Sequence, residues 1–438
     1  MWCPRKQGFK KILNFMNDTN TIFFASSNTL TKVLVEDLKV GMYVAKLDKP
    51  WLESNFLYQG FELKNQADIN AVKEQCKFVF IDVKKQNKSL AFESKDTPYS
   101  KGWLDTRTPP NKLTSFEKEV ENAGYVYKEA SNLVRSFMED VCLGKTITVE
   151  IAKKAVAECV NSILNAPDAL LWMTQLKNRD LYTSQHSMNV CILAIALGRQ
   201  INLPIKELNN VGLCGMMHDM GKMSVPLEVL NKPGKLEPDE LKIMQSHPEL
   251  GWKLLMSSND MYGGAIDVAH SHHERLDGTG YPRKLTAEKI TPYTRIVTIV
   301  DMYDAITSDR VYQRGRTHLE AINIMTKMCG THLDSGLTYK FIECLGIYPP
   351  GSIVEMSNGE VAIVIEANQK QRLKPKIILL LDEDKNPRDE RMVDLSKIDL
   401  DASGQEYRIT KIVKADDYGI DMNKYYHNGI IEKGLASV

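Results

Sequence analysis

The sequence of 438 residues lacks several features that would place it in a common class of protein. Its 56 Lys and Arg balance 56 Asp and Glu, which argues against a general binder of nucleic acid polymers or anionic membranes. No apolar run approaches the roughly 20 residues that a membrane-spanning helix needs. The eight cysteines form no CxxC pair, so neither a disulfide nor a zinc-finger framework is expected. Residues 22–25 are a weak signal-peptide candidate, and we expect a cytoplasmic protein.

Hydrophobic periodicity divides the chain into five segments and predicts a multidomain, mainly α protein. Residues 1–31 have no sustained period and are predicted to be a loose leader, followed by a small α+β N-terminal module at 32–83. The polar residues 84–113 contain three prolines and read as a linker. Residues 114–346 have helical periodicity and predict a helical bundle, whereas 347–438 predict a β appendage and tail.

Within these segments, the pattern predicts individual elements. Asn65 can cap a helix to Cys76, and Thr291 and Thr317 can cap two later helices. Further helices are expected at 117–142, 149–164 and 187–198, and strands at 41–47, 56–63, 78–81, 353–356, 361–365 and 376–381. The amphipathic helix at 117–142 could mediate a homodimer, although burial within its own chain would explain its apolar stripe equally well.

Histidines are concentrated in one part of the chain. Six of the nine lie between residues 186 and 273, and histidine is the commonest metal ligand. His218 and Asp219 are expected at the end of a buried helix, where Gly221 would allow a sharp turn. The two oxygens of Asp219 could bridge two cations, and Lys222 supplies a point charge suited to a phosphate oxygen.

Other segments offer further candidate ligands. They are His186, at the start of an apolar helix; His247, near the end of a helix that begins at Pro238; the adjacent His272 and His273; and Asp301, within an apolar helix. Five imidazoles and two carboxylates exceed the four positions of one zinc and fit two divalent cations about 3.5–4 Å apart. Mixed His and carboxylate ligands suit iron, manganese, nickel or zinc.

Several separated strings resemble the HD-GYP subgroup of the HD phosphohydrolases. They are HDMGK at 218–222, KPGKL at 232–236, HPELG at 247–251, HHERLDGTGYP at 272–282 and RIVTIVDMYDAITSDR at 295–310. Residues 32–83 resemble the module that often precedes HD-GYP domains in bacteria. The resemblance implies a metal-dependent phosphodiesterase of bacterial signalling that hydrolyses cyclic di-GMP to pGpG or GMP through a metal-bridging hydroxide.

The resemblance also implies roles for individual residues. The metal ligands would be His186, His218, Asp219, His247, His272, His273 and Asp301, with Asp219 and Lys222 catalytic. Lys222, Asp304 and Arg310 would contact the substrate, and the loop Gly280–Pro282 would shape the pocket mouth, with Tyr281 available to stack on guanine. The expected cofactor is two divalent transition-metal ions, Fe or Mn before Ni or Zn.

Two positions depart from the family pattern. Some members have a Glu four residues before the first histidine that completes a third metal site, and Tyr182 stands there, so we predict a dinuclear centre. A basic residue of some members is replaced by Gln313. Two alternatives to a cyclic di-GMP phosphodiesterase stay open: a cyclic-dinucleotide receptor with little turnover, and a phosphohydrolase of another nucleotide. The mixed guanine–adenine cyclic dinucleotide is a plausible secondary substrate.

Overall fold

The structure is a computed structural model that describes residues 30–49, 54, 56, 60–82, 112–176, 182–309 and 314–422. These residues fall into two compact units, one formed by 30–49 with 60–82 and the other by the remainder. The signal-peptide candidate at 22–25 and most of the predicted leader and linker lie outside the described residues.

The first unit is a four-stranded antiparallel sheet with one helix. Its elements are β1 Leu30–Leu34, β2 Tyr43–Leu47, β3 Phe61–Glu62, α1 Gln66–Gln75 and β4 Phe78–Asp82, and the strand order is β1-β4-β2-β3. Asn65 caps α1 as predicted, since its side chain accepts the Asp68 N–H at 3.1 Å. Strand β1 begins at Leu30 and thus overlaps the segment predicted to be a leader.

The second unit begins with a helical bundle. Its helices are α2 Phe116–Cys142, α3 Val149–Asn165, α4 Pro167–Met173, α5 Tyr182–Gln200, α6 Ile205–Met217, α7 Leu227–Leu230, α8 Pro238–Met244, α9 His247–Met256, α10 Gly263–Ser271, α11 Pro292–Thr307, α12 His318–Met328 and α13 Ser335–Leu345. Thr291 and Thr317 cap α11 and α12 as predicted, each accepting a hydrogen bond from the third residue of its helix.

Helix α5 is the centre of the bundle. Residues 187–195 of α5 are all buried, in agreement with the apolar character of its sequence. It packs closely on α6 because Gly215 has no side chain: a Cβ there would lie 2.9 Å from the Cα of Cys191. The close approach of the two helices brings two predicted ligands together: His186, near the start of α5, and His218, at the end of α6.

The apolar stripe of α2 is buried within its own chain. Val120, Tyr127, Val134 and Phe137 all belong to the main hydrophobic core, whereas Tyr125 on the outer side is exposed. Intramolecular burial therefore accounts for the amphipathic pattern of this helix, and the pattern gives no independent support for a homodimer.

The second unit ends with a five-stranded antiparallel sheet in the order β8-β7-β6-β5-β9. The strands are β5 Ile353–Met356, β6 Val361–Glu366, β7 Lys376–Leu381, β8 Pro387–Asp394 and β9 Ile409–Val413. One face contributes Ile363, Ile365 and Ile378 to the core of the bundle, and the other buries Val364 and Ile377 in a smaller core. Burial of both faces explains the continuous apolar runs of β6 and β7.

The predicted fold class is confirmed: the protein is mainly α, with an α+β unit before the bundle and a small β structure after it. Among the helices that the structure describes, none combines the length and hydropathy required to span a bilayer.

Candidate metal centre

All seven predicted ligands lie together in the helical bundle. His186 is the fifth residue of α5, His218 caps the end of α6, and Asp301 lies within α11. His272 and His273 directly follow α10. His247 was predicted near the end of a helix; instead it begins α9, because Pro248 lacks the N–H that would continue the helix from α8.

Backbone carbonyls orient three of the histidines. The Nδ1 atoms of His218 and His247 lie 2.7 Å from the carbonyl oxygens of Gly215 and Met244, and Nδ1 of His272 lies 3.1 Å from that of Ala269. Each carbonyl is three residues earlier, where the last turn of a helix leaves carbonyls without backbone partners. With Nδ1–H donating, each ring presents the lone pair of Nε2 to the centre of the cluster.

A buried carboxylate orients the fourth histidine. Nδ1 of His186 lies 2.7 Å from Oδ2 of Asp304, whose Oδ1 accepts a hydrogen bond from Asn189 at 2.9 Å. Asp304 is buried and both its oxygens are engaged. The resemblance to the HD-GYP family implied that Asp304 faces the substrate; in the structure its two oxygens contact His186 and Asn189.

The side chain of Asp219 lies between two groups of three ligands, which we call the first and second triads. Its Oδ2 is 3.4 Å from Nε2 of His186 and 3.2 Å from Nε2 of His218, and these two histidines form the first triad with Asp301. Its Oδ1 is 3.4 Å from Nε2 of His247 and 3.6 Å from Nε2 of His272, which form the second triad with His273. One carboxylate thus offers an oxygen to each triad.

The spacing of the donor atoms fits divalent cations. Nε2 of His247 lies 3.3 Å from Nε2 of His272 and 3.2 Å from Nε2 of His273. Ligand atoms at about 2.1 Å from one ion are separated by roughly 3.0–3.4 Å in octahedral or tetrahedral geometry. If both rings donate through Nδ1–H, the lone pairs of Nε2 of His247 and His272 face each other, and a cation between them would relieve their repulsion.

Two buried atoms of the cluster also lack hydrogen-bond partners. Nε2 of His218 and Oδ1 of Asp219 have none within the described part of the chain, although both are shielded from solvent. Such atoms are costly to bury unless something satisfies them, and a coordinated cation would satisfy both.

Burial and neighbouring charges shift the pKa of several residues in the cluster. Burial lowers the pKa of His247 to about 3 and that of His273 well below its usual range, so both rings stay neutral at neutral pH. Burial alone would raise the pKa of Asp219, but the charge of Lys222 holds it well below its ordinary value. Burial alone would lower the pKa of His186, but Asp219, Asp301 and Asp304 raise it well above its usual value. The negative potential of these carboxylates therefore stabilises a positive charge at the His186 ring.

Lys222 and Asp301 lie at the more open edge of the cluster. The Lys222 side chain is 24% exposed and that of Asp301 15%, whereas Asp219 is 1% exposed. Nζ of Lys222 donates to Oδ2 of Asp219 at 2.5 Å. A substrate that reaches the cluster from solvent would therefore meet Lys222 beside the proposed bridging carboxylate.

Gly221 brings α9 against the segment that carries Asp219. A Cβ at Gly221 would lie 2.0 Å from the carbonyl oxygen of His247 and 2.4 Å from the N atom of Gly251. The sequence had indicated that this glycine permits a sharp turn, but its φ lies outside the left-handed region. Two backbones touch at this position, which explains the need for glycine, and their contact places His247 beside Asp219.

The remaining predicted substrate contacts lie at the edge of the second triad or outside the described residues. The ring of Tyr281 stacks on that of His273, with centroids 4.8 Å apart and planes at 28°, between the buried Gly280 and the half-buried Pro282. Arg310 and Gln313 lie outside the described residues, as does the side chain of Tyr182.

Sequence reasoning missed the residues that support the ligands. Asn189 lies three residues after His186 on α5, a spacing that places both on one helical face and could have revealed its link to Asp304. Thr298 donates from α11 to the carbonyl oxygen of His272 at 2.8 Å, and nothing local in the sequence signals this long-range bond. Glu274 is fully buried directly after His273.

Comparisons with known families match three parts of the chain. Residues 166–337 match the HD domain, residues 30–152 match a domain of unknown function, and residues 353–418 match a KOW domain associated with HD domains.

Curated relatives and solved structures give further similarities. A cyclic di-GMP phosphodiesterase of Pseudomonas aeruginosa is 35% identical over 88% of this chain and 93% of its own length. A 3'3'-cGAMP-specific phosphodiesterase of Vibrio cholerae is 36% identical over 38% of this chain and 39% of its own length. Among solved structures, an HDGYP protein from Bdellovibrio bacteriovorus aligns with a TM-score of 0.45 at 18% identity, over 72% of this chain and 99% of that one.

Proposed function

The chain belongs to the HD-GYP cyclic di-GMP phosphodiesterases of the HD phosphohydrolase superfamily, and we propose that it hydrolyses cyclic di-GMP at the cluster of two triads. The observation that carries this proposal is the position of Asp219, whose two oxygens face separate sets of metal-ligating atoms. A carboxylate between two ligand sets is the arrangement of a two-metal site for displacement at phosphorus.

The proposed cofactor is two divalent cations, one in each triad. His186, His218 and Asp301 would hold the first, and His247, His272 and His273 the second. Histidine-rich sites with carboxylates suit iron and manganese, with nickel or zinc as alternatives. When bound, such ions lower the pKa of water and withdraw charge from phosphoryl oxygens.

The residues of the chain position the phosphodiester and balance its charge. Lys222 at the open edge offsets negative charge that builds on the non-bridging oxygens during attack. Asp304 and the three backbone carbonyls hold the imidazole rings in orientation, so the ligands need not reorganise during the reaction. We propose that Arg310 binds the second phosphate of a cyclic dinucleotide and that residues 280–282 form the rim of the pocket.

Incubation of the purified full chain with cyclic di-GMP tests this function directly. With Mn²⁺ or Fe²⁺ added, we expect pGpG, GMP or both to accumulate on chromatography, and a chelator to stop the reaction. A parallel incubation with 3'3'-cGAMP tests the secondary substrate. Intact cyclic di-GMP after incubation with the metal-loaded protein would contradict the proposal and favour a receptor.

We expect metal analysis of the purified protein to find two tightly held ions per chain. The two triads around Asp219 account for two ions, and Tyr182 cannot supply the carboxylate that completes a third site in some relatives. Measurement by inductively coupled plasma mass spectrometry after extensive dialysis checks this number. Three tightly held ions per chain would refute the dinuclear centre.

Replacing Lys222 by Ala should lower turnover by roughly ten- to a thousandfold, the scale of losing one charge contact to the transition state. Both ions should stay bound, because Lys222 is not a ligand. Initial rates and metal content measured on the same preparation check both statements. Lys242→Ala is the matched control, since that side chain is 75% exposed and pairs with Asp239 at the surface. An unchanged rate for Lys222→Ala would exclude its proposed role.

A further inference from the structure

We propose that Glu274 is a positioning residue for the second triad, acting through a loop that holds the ring of Tyr281 against His273. This inference rests on the proposed metal site, and it assigns a role to a buried carboxylate that is not itself a ligand. Glu274 is 1% exposed although it directly follows the two ligands His272 and His273 in the chain.

Both oxygens of Glu274 bind the backbone of the returning loop. Oε1 accepts the N–H of Arg283 at 2.6 Å, and Oε2 accepts the N–H of Leu285 at 2.9 Å. Gly280 and Tyr281 lie in the chain between Glu274 and these two residues. The carboxylate of Glu274 therefore joins the two ends of the loop that contains Tyr281. Hydrogen bonds to a charged acceptor are stronger than those between neutral groups, and burial strengthens them further.

The closed loop leaves little freedom for Tyr281. Its N–H donates to the carbonyl oxygen of His273 at 3.2 Å, and its ring stacks on the His273 ring. Gly280 lies so close to the start of the loop that a Cβ would be 2.5 Å from the Cα of Glu274. The position of the Tyr281 ring therefore follows from the path that Glu274 imposes on the backbone.

The Tyr281 ring is the contact that restrains His273 from outside the set of proposed ligands. Hydrogen bonds at Nδ1 orient His186, His218, His247 and His272, whereas the His273 ring contacts the rings of His247 and His272 and is stacked by Tyr281. Partners that fix a ligand's orientation typically contribute 10–100-fold to metal affinity. Loss of the stack would weaken the second triad and leave the first one intact.

Titration of the metal-free full chain with Mn²⁺, with free Mn²⁺ followed by electron paramagnetic resonance, tests the inference. We expect Glu274→Gln and Tyr281→Ala to weaken binding of one of the two ions by about 10–100-fold and to leave the other unchanged. Tyr281→Phe keeps the stacked ring and should restore wild-type Mn²⁺ affinity. A purely structural role would lower thermal stability and leave the binding curve below the melting range unchanged.

Glu249→Gln is the matched control, since Glu249 lies two residues from His247 but is half exposed and pairs with Lys253. Wild-type binding of both ions by Glu274→Gln, or by Tyr281→Ala, would overturn the inference. If Glu274→Gln does not fold, the comparison of Tyr281→Ala with Tyr281→Phe decides alone. The same titration of the wild-type protein tests the proposed metal site separately. A wild-type protein that does not bind two Mn²⁺ ions would contradict that site.

Discussion

Replacing Asp219 by Asn should abolish hydrolysis of cyclic di-GMP, with a fall in turnover of at least about a thousandfold. Asn keeps the size of Asp but replaces one oxygen by an NH₂ group, which donates hydrogen bonds and cannot ligate a cation. One triad would therefore lose its shared ligand, and the site would lose a negative charge between two cations. The expected loss exceeds the roughly 10²–10³ that follows removal of a single transition-state contact, because both ions depend on this group.

Initial rates and metal content of the same preparation would check this expectation, and metal content should fall together with activity. Asp239→Asn is the matched control, because it makes the same chemical change on a side chain that is 92% exposed. Substantial turnover by Asp219→Asn with two ions bound would show that Asp219 does not bridge them.

Gly221→Ala should separate α9 from the segment that carries Asp219 and disrupt both folding and metal binding. The added Cβ would lie 2.0 Å from the carbonyl oxygen of His247, and a backbone atom cannot move aside as the end of a side chain can. We expect a loss of about 3 kcal/mol or more in the free energy of unfolding, at the upper end of overpacking costs. Since His247 moves with α9, the second triad should lose its metal as well.

Thermal unfolding with and without Mn²⁺ measures both consequences. A loss of 3 kcal/mol corresponds to a melting temperature lower by about 6–12 °C for a domain of this size. Gly263→Ala is the control, because a Cβ there meets no atom within 4 Å, and its effect should stay within about 0.5 kcal/mol. Equal melting temperatures for the two variants would show that the close approach at Gly221 is not required.

The helical part of the fold and the set of proposed ligands could be predicted because both are encoded locally. Caps at Asn65, Thr291 and Thr317 mark helix starts through hydrogen bonds that span three residues. Six of the seven proposed ligands stand in the short strings that resemble the HD-GYP family, and that resemblance also implied His186.

Elements that depend on the rest of the fold were missed. Strand β1 is largely exposed at the edge of its sheet and carries no strict alternation, so its first two residues were assigned to the leader. Strand β8 is polar along most of its length and is defined by pairing with β7 rather than by its own sequence. His247 was placed on the wrong side of a helix break because Pro248 can equally follow a helix end or begin a new helix.

Long-range contacts explain the other differences between the predicted site and the observed one. The resemblance to the HD-GYP family singled out Asp304, but its bond to His186 joins residues 118 positions apart and could not be read from the sequence. The need for glycine at position 221 arises from the neighbouring α9 backbone, which local sequence cannot reveal. Glu274 is next to two ligands in the chain, yet its partners Arg283 and Leu285 are defined by the closed loop.

Anomalous diffraction from crystals of the full chain grown with Mn²⁺ tests most directly whether Asp219 lies between two metal ions. We expect two anomalous peaks per chain. One would lie among His186, His218 and Asp301, the other among His247, His272 and His273, with one oxygen of Asp219 directed at each. A single peak, or peaks away from Asp219, would contradict the central claim that this carboxylate joins two metal sites.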